Sequence, residues 1–117
     1  MTSTLLVPVD GPVQVVDWDL SELADPAGLV RLQQAVGGYI EAISGPGWHA
    51  YINEDGLMLR LPPNLRATRL AEQFGWVAGQ PLVGTVVFLG SGSPNDGDDH
   101  DVPVPMVEYA ARYRFSH

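Results

Sequence analysis

Residues 82–89, Leu82-Val83-Gly84-Thr85-Val86-Val87-Phe88-Leu89, are the most apolar stretch of the chain. Their number and their valine content are typical of a strand that is buried on both faces. We therefore expect this segment to form the middle of a sheet, with the other strands arranged around it.

Short extended runs occupy the N-terminal half of the chain. Thr4–Val9 and Val13–Trp18 are separated by the turn-forming cluster Asp10-Gly11-Pro12, which predicts a hairpin. A further extended run, Tyr39–Ile43, is broken by Gly45-Pro46-Gly47. These runs supply the first strands of the predicted sheet.

A second hairpin is indicated in the middle of the chain. Trp48–Ile52 and Leu57–Leu61 flank Asn53-Glu54-Asp55-Gly56, and an Asp-Gly pair is a strong signal for a tight hairpin turn. The pattern predicts that residues 48–52 pair with residues 57–61.

Two helices are predicted from their end signals. Asp25-Pro26 can cap and begin the first helix, and Gly37-Gly38 ends it. Asn64 can cap a second helix that runs to Phe74 and ends at Gly75. Its predicted buried stripe consists of Ala67, Leu70, Ala71 and Phe74.

The C-terminal segment fits two patterns. Helical spacing is met by Met106, Tyr109, Ala110 and Tyr113, whereas strict alternation is met by Val107, Tyr109, Ala111, Tyr113 and Phe115. The alternating set carries three aromatic residues, which favours a strand. Together the elements predict one α+β domain over residues 1–117, a mixed or mainly antiparallel sheet of five to six strands covered by two helices. An acidic surface loop is expected at residues 91–101.

Composition narrows the function classes. The chain has no cysteine, which excludes disulfides, thiolate catalysis and cysteine-ligated metal clusters. Its formal charge of -8 disfavours direct binding of nucleic acid. No run of about 18 uncharged apolar residues predicts a membrane span, and no signal peptide is recognised. We expect a cytoplasmic protein without a cofactor.

Four segments resemble a known family in order and spacing: Leu32–Glu41 with its Gly-Gly-Tyr-Ile-Glu core, Asn53–Gly56, Leu61–Thr68 and Val83–Gly90. The family is domain of unknown function 3846, which occurs in bacteriophages, in actinobacteria and on mobile elements. The resemblance covers about half of the chain and leaves out residues 91–101 and the terminal strand. It implies a small intracellular protein of phage or host-accessory origin and carries no established activity.

An anion site is predicted at the start of the second helix. Arg66 and Arg69 share a helix face, Asn64 stands at the N-terminus, and Arg60 lies close by in sequence. Because a helix N-terminus attracts negative charge, a phosphate, a nucleotide or an acidic peptide is the expected ligand. The alternative is that these arginines pair with the surplus carboxylates.

Other residues that can carry chemistry have plainer interpretations. The acidic loop holds Asp96, Asp98, Asp99, His100 and Asp101, but an EF-hand that started at Asp96 would have Asp101 at its glycine position. We predict a solvated loop and no metal site, with a weak divalent-ion site or a divalent-ion-dependent enzyme as the alternatives. His49 as a general base, and Glu41 with Glu54 or Asp55 as a carboxylate pair for glycoside hydrolysis, are further alternatives.

With no catalytic constellation assembled in the sequence, we predict an interaction module that docks against a host or phage protein. Exposed aromatic residues are expected at Tyr39, Trp48 and Tyr113, and a homodimer that pairs through the terminal strand is consistent with this function. The alternatives are a small-anion binder and an acidic DNA mimic that inhibits a host nucleic-acid enzyme.

Overall fold

The computed structural model describes residues 2–18, 26–77, 80–91 and 99–112. The strands are β1 (Thr2–Val7), β2 (Gln14–Trp18), β3 (Ile40–Gly45), β4 (Trp48–Asn53), β5 (Val86–Ser91) and β6 (Asp99–His100). The helices are α1 (Pro26–Val36), α2 (Leu65–Gln73) and α3 (Val104–Arg112). The α+β class is confirmed.

Five strands form an antiparallel sheet in the order β2-β1-β5-β4-β3, and the short β6 pairs with the end of β5. The predicted central position is confirmed, because β5 lies between β1 and β4. The strand itself begins at Val86, so residues 82–85 of the predicted strand lie before it. Val86, Val87, Phe88 and Leu89 are all fully buried, as a strand that is covered on both faces requires.

The sheet separates two hydrophobic cores, because successive side chains along each strand point to opposite faces. Phe88 and Val86 point to one face, where α2 and α3 pack with Leu70 and Met106. Val87 and Leu89 point to the other face, where α1 packs with Leu32 and Val36. Three helices therefore cover the sheet, and the expectation of two is wrong.

The N-terminal hairpin and the two predicted helices are confirmed. β1 and β2 pair with Leu5 opposite Val15. The first helix ends where Gly37 takes the left-handed conformation with φ 82°, which glycine adopts at little cost. The predicted stripe of α2 faces the core: Ala67, Leu70 and Ala71 are buried, and Phe74 packs against them.

The predicted pairing of residues 48–52 with residues 57–61 is wrong. β4 has β3 on one side and β5 on the other, so neither of its edges is open to residues 57–61. The true hairpin joins β3 to β4 through Pro46-Gly47, and Gly47 has the positive φ of 77° that this kind of turn needs.

Residues 55–61 instead form a single helical turn. Leu59 N donates to Asp55 O at 2.8 Å, Arg60 N to Leu57 O at 3.2 Å and Leu61 N to Gly56 O at 3.0 Å. The last two bonds are those of a Schellman motif, in which the residue after the helical turn is left-handed. That residue is Arg60, with φ 54°.

The C-terminal segment is a helix, so the predicted terminal strand is wrong. Met106 and Ala110, four residues apart, are buried in the core under α2, and Tyr109 contacts Phe74 edge-on with ring centroids 5.9 Å apart. The helical spacing was the correct pattern because this packing buries one helix face. The predicted homodimer through the terminal strand therefore has no strand available at residues 107–112, which are helical. Tyr113 and Phe115 lie outside the described residues.

The ends of the predicted acidic loop belong to the sheet. Gly90 and Ser91 of β5 pair with His100 and Asp99 of β6. The chain then bonds to β1, since Asp101 Oδ1 accepts from Ser3 N at 2.8 Å and Val102 N donates to Ser3 O at 2.8 Å. Residues 92–98 lie outside the described part of the chain.

The left-handed Arg60 gives a stability prediction. We expect Arg60→Gly to raise the free energy of unfolding by about 1 kcal/mol, because a left-handed L-residue costs about 1–2 kcal/mol and the greater unfolded-state entropy of glycine offsets part of this. Urea unfolding measures the change. Arg60→Ala removes the same charge but keeps the strain, so an equal gain in both variants would contradict the explanation.

Candidate functional site

The predicted anion site centres on Asn64, and the structure gives this residue a structural role. Its side chain is buried, and Nδ2 donates to Val7 O and to Gly84 O, each at 2.8 Å. Oδ1 accepts from Ala67 N at 3.0 Å and so caps α2 as predicted. The Nδ2 and Oδ1 atoms of Asn64 therefore already have hydrogen-bond partners within the fold.

Arg66 is also bound to the protein backbone. Its guanidinium donates to Gly11 O at 2.6 Å and to Pro8 O, so that α2 is tied to the turn between β1 and β2. Its Nε is buried without a hydrogen-bond partner. Arg60 and Arg69 are exposed on separate elements. Anion binding at these arginines stays a prediction, and an anion at Arg66 would compete with two carbonyl groups.

His49 lies on the α1 face of the sheet and is half-buried. Its Nδ1 is 2.8 Å from Ser91 Oγ, and its ring meets Tyr51 edge-on at a centroid distance of 5.3 Å. A general base and a nucleophile must lie within hydrogen-bond distance of each other, as these two groups do. The same hydrogen bond, however, also connects the end of β5 to the neighbouring β4. General-base chemistry at His49 stays an untested alternative.

The acidic segment supplies no metal centre within the residues that can be described. No group of three or more His, Asp or Glu side chains that could hold a metal ion occurs in residues 2–18, 26–77, 80–91 and 99–112. Asp96 and Asp98 lie outside these ranges, whereas His100 is exposed on β6. A divalent site at the loop stays untested.

A cleft opens beside the β3 edge of the sheet, on the face that carries α2. Its volume is about 290 Å³. Ile43 and Ile52 form an apolar floor on the sheet, and Trp76 stands on the segment that follows α2. The other lining residues are Glu41, Asn53, Glu54, Leu57, Gln80, Pro81, Leu82 and Val83.

The helical turn at residues 55–61 places apolar side chains beside this cleft. Leu57 lines the cleft and is 62% exposed, while Met58 and Leu59 next to it are 84% and 59% exposed. Tyr39 is 68% exposed, and its carbonyl accepts from Glu54 N at 2.9 Å, so it lies near the same cleft wall. The cleft and the Leu57–Leu59 turn together are named the cleft surface.

The turn is held firmly although its side chains are exposed. Gly56 packs so closely on Val83 that a Cβ atom at this glycine would come within 2.7 Å of a valine methyl group. Gly84 N donates to Pro62 O at 2.9 Å on the C-terminal side of the turn. The apolar side chains are therefore presented from an ordered backbone.

Two carboxylates give the cleft its charge. Glu41 and Glu54, which the sequence suggested as a catalytic pair, both line the cleft. Both are exposed, and neither forms an ion pair within the part of the chain that the structure describes. They supply negative charge beside the apolar floor of the cleft, and glycoside hydrolysis by this pair stays an untested alternative.

The family comparison now agrees with the residues that carry the resemblance. The model of the family described as Domain of unknown function (DUF3846) matches residues 1–114. The chain belongs to the DUF3846 family. The match includes residues 91–101 and α3. The expectation that the family pattern covers only about half of the chain is therefore wrong. No curated protein and no solved structure matches this DUF3846 domain.

Sequence reasoning missed the cleft and misplaced one aromatic residue. Trp48 was expected at the surface, but it is buried, packs on Phe88 at 5.6 Å and donates from Nε1 to Phe74 O at 2.8 Å. Tyr39 is exposed as expected, and Tyr113 lies outside the described residues. Three consecutive apolar residues after Gly56 were the signal for the exposed turn.

None of the helices in the described ranges is long and apolar enough to span a membrane.

The role of Asn64 can be tested by an isosteric change. We expect Asn64→Asp to lower the free energy of unfolding by at least about 3 kcal/mol, because the new group cannot donate to Val7 O or Gly84 O and buries a charge beside them. Urea unfolding is the measurement. Gln34→Glu makes the same chemical change at an exposed position of α1 and should alter stability by less than about 0.5 kcal/mol. Similar losses of stability in both variants would show that the hydrogen bonds of the Asn64 side chain are not the cause.

Proposed function

We propose that this DUF3846 domain is a protein–protein interaction module and that its cleft surface contacts a host or phage protein. The observation that carries the proposal is the ordered Leu57–Leu59 turn, whose exposed apolar side chains adjoin a cleft with an apolar floor. Single exposed apolar residues are normal, but soluble proteins seldom expose large contiguous apolar patches, and such patches mark interaction sites.

The charge of the surface indicates the chemistry of the partner. Glu41 and Glu54 stand beside apolar walls, and the whole chain carries a formal charge of -8. A partner that presents an apolar anchor with basic side chains around it would complement this surface in shape and in sign. Nucleic acid would be repelled by the same charge.

The wider setting follows from the family resemblance. The resemblance implies an origin in bacteriophages, actinobacteria or mobile elements, and we propose that the protein works in the cytoplasm of a bacterial host. The arrangement of structural contacts at Asn64 and Arg66 makes the small-anion binder the weaker alternative. An acidic DNA mimic differs from the proposed module only in its partner, which would be an enzyme whose basic DNA-binding cleft receives the carboxylates.

Site-specific photo-cross-linking in the native host tests the proposal. We expect a cross-linker at position 58 to capture one protein, because Met58 stands on the cleft surface. A cross-linker at position 30 is the matched control, since Val30 is an exposed apolar residue of α1 on the opposite face of the sheet. Glu54→Lys should abolish the capture at position 58 by reversing a cleft charge.

Three results would contradict the proposal. They are no capture at position 58, equal capture of the same protein from both positions, and capture only of a second copy of this chain. If the captured protein is a nucleic-acid enzyme and the domain displaces its DNA, the DNA-mimic alternative replaces the general module.

A further inference from the structure

Among the described residues, no strand pairs with the outer edge of β3, which runs along the cleft. In the part of the chain that the structure describes, β3 pairs with β4 on one side only. An edge strand presents alternate backbone N–H and C=O groups for pairing with another chain. Glu41, Ala42 and Ser44 along this strand are exposed. The backbone edge and the cleft are therefore accessible from the same side.

The alternation of β3 connects this edge to the cleft. Glu41 lies opposite Ile52 and Ile43 lies opposite Ala50, so both residues point to the cleft face. Ala42 and Ser44 point to the other face. A strand added beside β3 would thus place every second side chain at the cleft, one next to Glu41 and another next to Ile43.

The size of the cleft favours single side chains over a helix face. Its volume of about 290 Å³ compares with roughly 150 Å³ for an apolar cavity that holds one benzene molecule. One or two large apolar side chains fill such a space. A docked amphipathic helix would need an extended groove for a whole row of anchors.

We infer that an extended segment of the partner protein adds to β3 as a further strand of the sheet. An apolar side chain of that segment enters the cleft over Ile43 and Ile52, and a basic side chain two residues away pairs with Glu41. Main-chain hydrogen bonds supply the general affinity, and the two side chains supply the specificity. This inference rests on the proposed function and names the chemistry of the partner.

Synthetic peptides test the predicted spacing. The probe is Thr-Leu-Thr-Arg-Thr-Leu-Thr-Arg, in which leucine and arginine are two residues apart and share one face of a strand. The control is Thr-Leu-Arg-Thr-Thr-Leu-Arg-Thr, which has the same composition and charge but puts neighbouring leucine and arginine on opposite faces. NMR titration of the full chain measures both affinities and identifies the amides of residues 40–45 that shift.

We expect the first peptide to shift the β3 amides and to bind about tenfold more tightly than the control. Methylation of the peptide nitrogens that face β3 should abolish these shifts, because it removes the ladder donors. Glu41→Lys should weaken binding about fivefold. Asp10→Lys makes the same charge change in the turn between β1 and β2, which is separated from β3 by β5 and β4, and should leave the affinity unchanged.

Equal affinity of the two peptides, or no shift of the β3 amides at millimolar peptide, would overturn strand addition. The outcome is separable from the failure of the proposed function. If position 58 still captures a partner while the β3 amides stay unshifted, the interaction module stands and only the strand-adding mode is lost. If position 58 captures nothing, the module itself fails.

Discussion

The buried amide of Asn64 is the interaction on which the arrangement of sheet and helix depends. One side chain bonds the end of β1 at Val7, the approach to β5 at Gly84 and the first turn of α2 at Ala67. Only an amide supplies two donated bonds and one accepted bond at these positions. Because an unsatisfied buried carbonyl group is costly, the two strands and the helix are held in one relative placement.

This placement also builds the cleft. Asn64 N donates to Leu82 O, and Thr68 Oγ1 accepts from Leu82 N, so the segment before β5 is bonded to the start of α2. At the other end of the helix, Trp48 donates to Phe74 O and ties the helix end to β4. The segments that carry Trp76 and Leu82 are thereby held against the sheet, and they form the cleft wall opposite the β3 edge. The candidate site is a consequence of how α2 is attached to the sheet.

The proposed interaction uses the exterior of this domain. Side chains that suggested chemistry in the sequence have other contacts in the fold: Arg66 bonds two backbone carbonyls, and His49 bonds Ser91. The apolar Leu57–Leu59 turn and the carboxylates of Glu41 and Glu54, by contrast, are exposed beside one cleft. An ordered surface of this kind suits recognition, because little conformational freedom is lost when a partner covers it.

The sequence by itself determined the central strand, the capped helix α2 and the family, because continuous apolar runs, an N-cap residue and a spaced motif are local signals. Tertiary structure decided the partner of β4 and the state of the C-terminal segment. Asp55-Gly56 fits a hairpin or a helical turn, and β4 had no free edge for a hairpin. Residues 106–112 fit either period, and packing of Met106 and Ala110 beneath α2 selected the helix. The cleft likewise arises from segments distant in the chain, whose contact no local pattern encodes.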